Sequence, residues 1–566
     1  MEEQNPNSQE REGVSRRQFL QAAASVAAGG TLLAACGGSP PAPLKQAPAA
    51  TTIPQAQVDA TVTASVGKTY FPGDGIHVPD AFLAPLPPYQ TVKFVPGTGK
   101  KVQVFSIFVA TPATPKAQNK FWQALDKQLN VDWEITQVVL NDFATKAPLA
   151  LNSNPPPDLF LIYDTTVSSI LTAIDQGAFN DLTPYLGGDN LKNYPNLARI
   201  MPQIWKNSMF EGKIIGIPRS RVEIPDLLIY RRDWADKLGL SMPQNPDEFI
   251  NMLTAFAKGD PRGDGQKIYP VSVDFLGRNA YVMQMFNVPN GWRLESDGSF
   301  TYFLETDEFA QSLAFEKRMW DANLYFPDGP TLTNKQKKTN FEGGKVAMYQ
   351  DSFSAISAEQ TRTRQVTPTA KPEILVPNNN QGKYNRFLGS GYVGITCIPS
   401  KATSDPERIK ELLRIMDYLD APTFSLESNF NSYGIDGWDS SVGKNGLRQT
   451  NDKGKNEVAE LLNIAGPPNI FYTPTSPLVP QDAIYQQTVA RQLTQNAVGD
   501  PTWGLFSPSF ARQSTSLTLT VNSGLQRIVR GEDPLSALPA LVKLWLSQGG
   551  AKWKQEYAAS YHKVHG

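Results

Sequence analysis

Ser15-Arg16-Arg17-Gln18-Phe19-Leu20 joins a pair of arginines to a Phe-Leu pair, and an Ala-rich apolar run from 22 to 35 follows. The run is too short and too small-sided to span a bilayer as a stable helix, so it reads as the hydrophobic segment of a signal peptide. It ends at Leu33-Ala34-Ala35-Cys36-Gly37, the small-residue pattern of a lipobox. The chemistry implied is acylation, with Cys36 as the first mature residue and the carrier of the acyl chains. Arg16 and Arg17 place export on the twin-arginine route, which carries proteins that fold before they cross.

Other reactive residue types are sparse. The histidines are His77, His562 and His565, none beside a Ser or Cys in a nucleophile motif, which speaks against a His-based metal centre or triad. With Cys36 acylated, Cys397 has no disulfide partner, and its strand-like surroundings make it a small core residue. One loop has metal-like spacing: Asp260-Pro261-Arg262-Gly263-Asp264-Gly265-Gln266-Lys267-Ile268. An EF-type loop needs oxygen ligands at positions 1, 3, 5 and 9, a carbonyl at 7 and Gly at 6. Asp260, Asp264, Gly265 and Gln266 fit positions 1, 5, 6 and 7, but Arg262 stands at 3 and Ile268 at 9. No cofactor is expected to be required. A structural Ca²⁺ on Asp260, Asp264 and Gln266 is set against a tight turn held by Asp side chains.

The 53 Lys and Arg balance 54 Asp and Glu, so no basic face for nucleic acid is implied. No apolar stretch after Cys36 approaches membrane-spanning length. Residues 36 to 66, rich in Pro, Ala, Gly, Ser and Thr, cannot bury enough surface to fold and read as a disordered tether. Residues 67 to 100 gain aromatics and read as an irregular strap.

From Lys101 onward, runs of strand and helix alternate, which points to an α/β fold with mostly parallel sheets. Val102 to Phe108 is a strand, and Phe121, Leu125 and Leu129 share one helix face. Trp133 to Val139 is a second strand, and Pro155-Pro156-Pro157 bounds a third running from Asp158 to Tyr163. Ile214 to Ile217 is expected to be a strand broken by Pro218, followed by Leu227 to Tyr230, and the charged link between them suits a crossover between two lobes. Phe387 to Ile398 reads as a strand pair and Asp405 to Leu419 as a helix, and the C-terminal part is helical. Trp122, Trp234, Trp320 and Trp545 sit at helical core positions.

Several segments together resemble a known family. They are Pro157-Asp158-Leu159-Phe160, Gly177-Ala178-Phe179-Asn180-Asp181-Leu182-Thr183-Pro184, Gly212-Lys213-Ile214-Ile215-Gly216-Ile217-Pro218 and Phe341-Glu342-Gly343-Gly344-Lys345-Val346-Ala347-Met348. In this order they resemble the extracellular solute-binding proteins of family 1, which serve ABC sugar importers. Arg232 to Leu240, Pro289-Asn290-Gly291-Trp292 and Asp533 to Gly550 are similar to a subgroup of larger lipoproteins that bind pectin- or alginate-type oligosaccharides.

The resemblance implies a two-lobe periplasmic-binding-protein fold with crossover hinge strands and a helical C-terminal part. The expected divisions are a signal peptide (1–35), tether (36–66), strap (67–100), first part of lobe 1 (101–222), first part of lobe 2 (223–386), return to lobe 1 (387–470) and C-terminal helices mainly of lobe 2 (471–566). It further implies an oligosaccharide held between the lobes, delivery to ABC transporter permease subunits, and a monomer tied to the membrane through Cys36 on the outer face. In such sheets ligands sit at the carboxyl ends of strands. Phe108, Tyr163, Asp164, Arg219, Arg221, Phe353, Tyr392 and Trp438 are the candidate contacts, rings for sugar faces and charged groups for hydroxyls. The two arginines would also suit uronate carboxylates, unless they pair with Glu223 or Asp226. The competing readings are a tethered carbohydrate-active hydrolase or lyase, which would need two positioned carboxylates or a base with a charge-neutralising partner, and a peptide receptor on the same fold.

Overall fold

The computed structural model describes residues 70–565, apart from 84–85, 110, 166, 274–275, 379–385, 444–447, 459 and 468–480. The export signal, with Arg16 and Arg17, and the lipobox Cys36 lie outside the described residues.

Nine strands build the two main sheets. They are β1 (Lys101–Phe108), β2 (Asp132–Val139), β3 (Leu159–Ile162), β4 (Gly216–Ser220), β5 (Asp226–Arg231), β6 (Tyr269–Ser272), β7 (Val346–Ser352), β8 (Pro372–Leu375) and β9 (Tyr392–Cys397). The first lobe holds the sheet β2-β1-β3-β9-β4 and the second the sheet β8-β5-β7-β6.

In the first sheet β1 runs parallel to β2 and β3, and β9 returns antiparallel between β3 and β4. Parallel strands covered on both faces read as continuous apolar runs. Leu159, Phe160, Leu161 and Ile162 of β3 are all fully buried. The helix Lys120–Leu129 covers this sheet because Phe121, Trp122, Leu125 and Leu129 fall on one side of it. Asn119 caps its start by accepting from the Trp122 N–H, and Asn130 ends it in the left-handed conformation.

Pro218 does not break its strand, contrary to the sequence expectation. It lies inside β4, opposite Ile395 of β9. Because β4 is the sheet edge, its outer side needs no ladder donor, and proline is tolerated there. The strand pair expected over 387–398 is present and divides between two sheets. Arg386 and Phe387 pair in parallel with Ala497 and Val498, while β9 joins the first sheet.

The second sheet is covered on both sides. Leu228 and Tyr230 of β5 enter one core with the helices Pro246–Lys258, Asp307–Asp321, Pro508–Arg530 and Ala551–His565. Leu227 and Ile229, pointing the other way, enter a second core with the helix Gln481–Thr494. Trp234 and Trp545 are buried in the first of these cores, whereas Trp320 is only packed against it.

The chain crosses between lobes from β4 to β5 and returns to the first lobe at β9. The strap adds a further connection. Val78 and Ala81 sit in the second lobe's core with Ile224, and Gln487 Nε2 donates to the Pro79 carbonyl at 2.9 Å. Farther on, the Val92 N–H donates to Glu427 at 2.8 Å and the Thr98 N–H to Glu411 at 2.7 Å, both in the first lobe. Just before the first of these anchors His77 Nδ1 meets the buried Glu223 carboxylate of the β4–β5 link at 2.5 Å. That bond raises the His77 pKa above its ordinary value.

Candidate functional site

A cavity of about 660 Å³ lies between the lobes and takes groups from both. From the first lobe, β3 ends in Tyr163, Asp164 and Thr165, which leave the sheet at its carboxyl end. Phe143 meets Tyr163 edge-on, ring centres 6.4 Å apart. The return strand β9 supplies Tyr392, where the pairing with β4 shifts register between Tyr392 and Ile395. The Tyr392 hydroxyl lies 3.4 Å from the Asn207 carbonyl, and burial pushes its pKa up to about 12.

The opposite wall is the loop before the helix Pro508–Arg530, carrying Asp500, Thr502, Trp503 and Phe506. It belongs to the second lobe: the Phe506 N–H donates to Ser560 Oγ at 3.0 Å, and Ser507 Oγ to Glu556 at 2.6 Å. Asp500 Oδ1 accepts from the Thr502 N–H at 2.9 Å and its hydroxyl at 2.6 Å. Burial pushes the Asp500 carboxyl up to about 6. Gly291 has φ +71° and lies so close that a Cβ there would be 2.4 Å from Asp500 Oδ2. Asn290 Nδ2 donates to the Leu388 and Val498 carbonyls at 2.8 and 2.9 Å. The Asn290-Gly291 pair therefore sets where this loop lies. Phe210 of the first lobe and Phe506 close one side, ring centres 5.2 Å apart.

Tyr163, Asp164 and Tyr392 are thus brought together, as the strand-end argument expects. The other five candidates do not line the cavity. Phe108 ends β1 half-buried, and the next backbone N–H donates to Glu460. Arg219 donates to the Ala465 carbonyl and Asn463 Oδ1, both at 3.1 Å, and its charge acts on Tyr163. Arg221 reaches across the crossover to Ser352 and Ser354 hydroxyls at 3.3 and 2.9 Å. Both arginines thus bond neutral groups, and Glu223, one of the alternatives, is met by His77 instead. Phe353 is 1% exposed and packs into the core beside Tyr349 and Ile356, so it offers no face to a ligand. Trp438 is covered on both faces, with Lys120 and Lys453 ammonium groups each 3.5 Å from the ring, and its N–H donates to Glu457 at 3.2 Å.

Asp500, Trp503 and Phe210 are among the lining residues that sequence reasoning missed. The available signal was Gly499-Asp500-Pro501-Thr502-Trp503-Gly504, a tryptophan framed by turn formers in a helical region.

In the 260–268 loop, both Asp260 oxygens accept backbone N–H groups, Oδ1 from Gly263 and Oδ2 from Gly265, each at 2.8 Å. Those bonds hold the Asp260 carboxyl below the usual range, the Gly265 bond most of all. At the third position the Arg262 guanidinium pairs with Asp264 and donates to the Gly344 carbonyl at 2.9 Å. Ile268 at the ninth is 2% exposed within the core. A cation already bound to one prospective ligand, and a hydrocarbon in place of another, do not fit Ca²⁺.

A family model described as bacterial extracellular solute-binding protein matches residues 110–416. The chain belongs to that family. It is accordingly a binding protein and not an enzyme. The match includes Tyr163, Asp164 and Tyr392 but ends before the loop of Asp500 and Trp503. Two relatives from Bacillus subtilis (strain 168) are each 25% identical over 460 residues, covering 78% of this chain. They are the polygalacturonan/rhamnogalacturonan-binding protein YtcQ and the lipoprotein LipO, covered over 87% and 88% of their own lengths. Among solved structures, the Streptococcus pneumoniae ABC-transporter substrate-binding protein FusA in complex with kestose superposes with a TM-score of 0.57 at 16% identity. That superposition covers 82% of this chain and 99% of FusA.

Proposed function

We propose that this protein is the lipid-anchored, extracytoplasmic receptor of an ABC importer and captures an oligosaccharide between its lobes. The carrying observation is the aromatic-walled cavity of about 660 Å³ built by Tyr163 and Tyr392 on one side and Trp503 on the other. Rings of this kind cover the apolar faces of pyranose or furanose units, while carboxylates and carbonyls accept their hydroxyls. The names of YtcQ and FusA support a saccharide, and that of LipO supports the anchor. The lipobox makes Cys36 the anchor, the twin-arginine signal is the export route, and the protein works as a monomer that presents its sugar to permease subunits.

A thermal-shift screen of the full chain against neutral and uronate-bearing oligosaccharides tests this reading. At about 100-fold excess over the dissociation constant a true ligand stabilises by about 2.7 kcal/mol. A saturable shift with an intact sugar is expected. No shift with any saccharide, alongside a shift with peptides, would replace the sugar by a peptide.

The reading requires no cofactor. The 260–268 loop keeps its turn through the Asp260 carboxylate and the Arg262 guanidinium instead of a metal. Calcium titration is expected to release no heat, and a chelator to leave the melting temperature unchanged. A saturable heat of Ca²⁺ binding abolished by Asp260→Asn would overturn this.

A further inference from the structure

The described residues that line the cavity carry charge of a single sign. Asp164 reaches it from the first lobe and Asp500 from the second, and no Lys, Arg or His is among the described residues that line it. The nearby guanidinium groups are committed elsewhere: Arg219 to Asn463 and Ala465, Arg221 to Ser352 and Ser354. Asp500 is fixed from two directions, by Thr502 and by the close approach of Gly291, so it cannot withdraw without moving the loop.

A carboxylate accepts hydroxyl protons in short, charge-assisted bonds. It repels a second carboxylate, and more strongly where the lobes have excluded water. We infer that the cavity selects uncharged oligosaccharides and rejects uronates, with Asp164 and Asp500 as the specificity-determining pair. The inference rests on the reading of the cavity as the sugar site. It departs from the ligand named for YtcQ and from the arginine–uronate pairing that the sequence suggests.

Calorimetric titration of the full chain would use kestose, maltotriose and cellotriose, with trigalacturonate and its fully methyl-esterified form as a pair that differs in charge and in the added ester methyl groups. Binding of at least one uncharged sugar is expected, with trigalacturonate at least tenfold weaker than the tightest of them. Where the ester binds, Asp500→Asn should narrow the ester-to-acid ratio, and so should added salt. Trigalacturonate binding as tightly as the ester, or more tightly than every neutral sugar, would overturn the charge selection while leaving the sugar site intact. Failure of all five sugars would overturn the sugar site itself, and the charge selection with it.

Discussion

Trp503→Ala is expected to weaken oligosaccharide binding by about 30-fold or more, the 2 kcal/mol or greater loss typical of a central aromatic anchor. The ring stands on the second lobe's wall of the cavity and is only half-buried. Its removal takes away contact area that exists only when the lobes hold a sugar, so the free protein should lose little stability. Isothermal titration with the best ligand measures the loss, and a melting curve shows whether the fold is kept. Trp438→Ala is the matched control. Its two faces are already occupied by Lys120 and Lys453, so affinity should stay within about twofold, the scale of a residue outside the energetic centre. The opposite pattern, loss at Trp438 and none at Trp503, would move the site out of the cavity and onto the flank of the first lobe.

The contrast between these two tryptophans shows what the sequence could reveal. Tyr163 and Asp164 were readable because a Pro-bounded apolar run must be a strand, and its carboxyl end in such a sheet faces the cleft. Tyr392 was readable from its place near the second crossing: it opens β9, whose antiparallel run sets its first residue beside the carboxyl end of β3. Phe353 follows β7 in the same way, yet the chain turns at once into a 3-10 turn and buries the ring. A strand end predicts a location but not the direction of the next side chain. Arg219 and Arg221 were placed correctly at the crossover, but their partners, Asn463 and Ser354, lie 244 and 133 residues away. Trp503 was hidden for a similar reason. Its loop is positioned by Asn290 and Gly291, about two hundred residues earlier, and no local pattern links the two segments. The two-lobe architecture needed less. The alternation of strand and helix and the charged β4–β5 link sufficed for two α/β units, and the order of the weak motifs chose the topology. What the local signals could not see was edge position, which is why Pro218 was read as a break.

The second large effect concerns stability and pH. Asp420 is fully buried, with Oδ1 accepting from the Gly466 N–H at 2.8 Å and no partner for Oδ2 among the described residues. Burial pushes its carboxyl from 3.8 up to about 7. The folded state therefore holds a proton that the unfolded chain releases near its ordinary value, so stability is greatest below that value and falls as pH rises toward 7. Each tenfold change in proton affinity is about 1.4 kcal/mol, so Asp420 alone should cost on the order of 3–4 kcal/mol at pH 8 relative to pH 4. Glu316, fully buried and likewise at about 7, acts with the same sign. Asp420→Asn keeps the acceptor for Gly466 and removes the titration. It should raise the melting temperature by several degrees at pH 8 and leave it nearly unchanged at pH 4. Equal destabilisation at both pH values would show that the carboxyl matters for shape alone and would sink the titration argument. The position of Asp420 suggests why such a group is kept. Gly466 lies so close to Arg219 that a Cβ would stand 2.6 Å from Arg219 Cγ, and Arg219 acts electrostatically on both Asp420 and Tyr163. The buried acid thus holds, through Gly466, the segment packed against Arg219, whose charge acts on Tyr163 in the cavity wall.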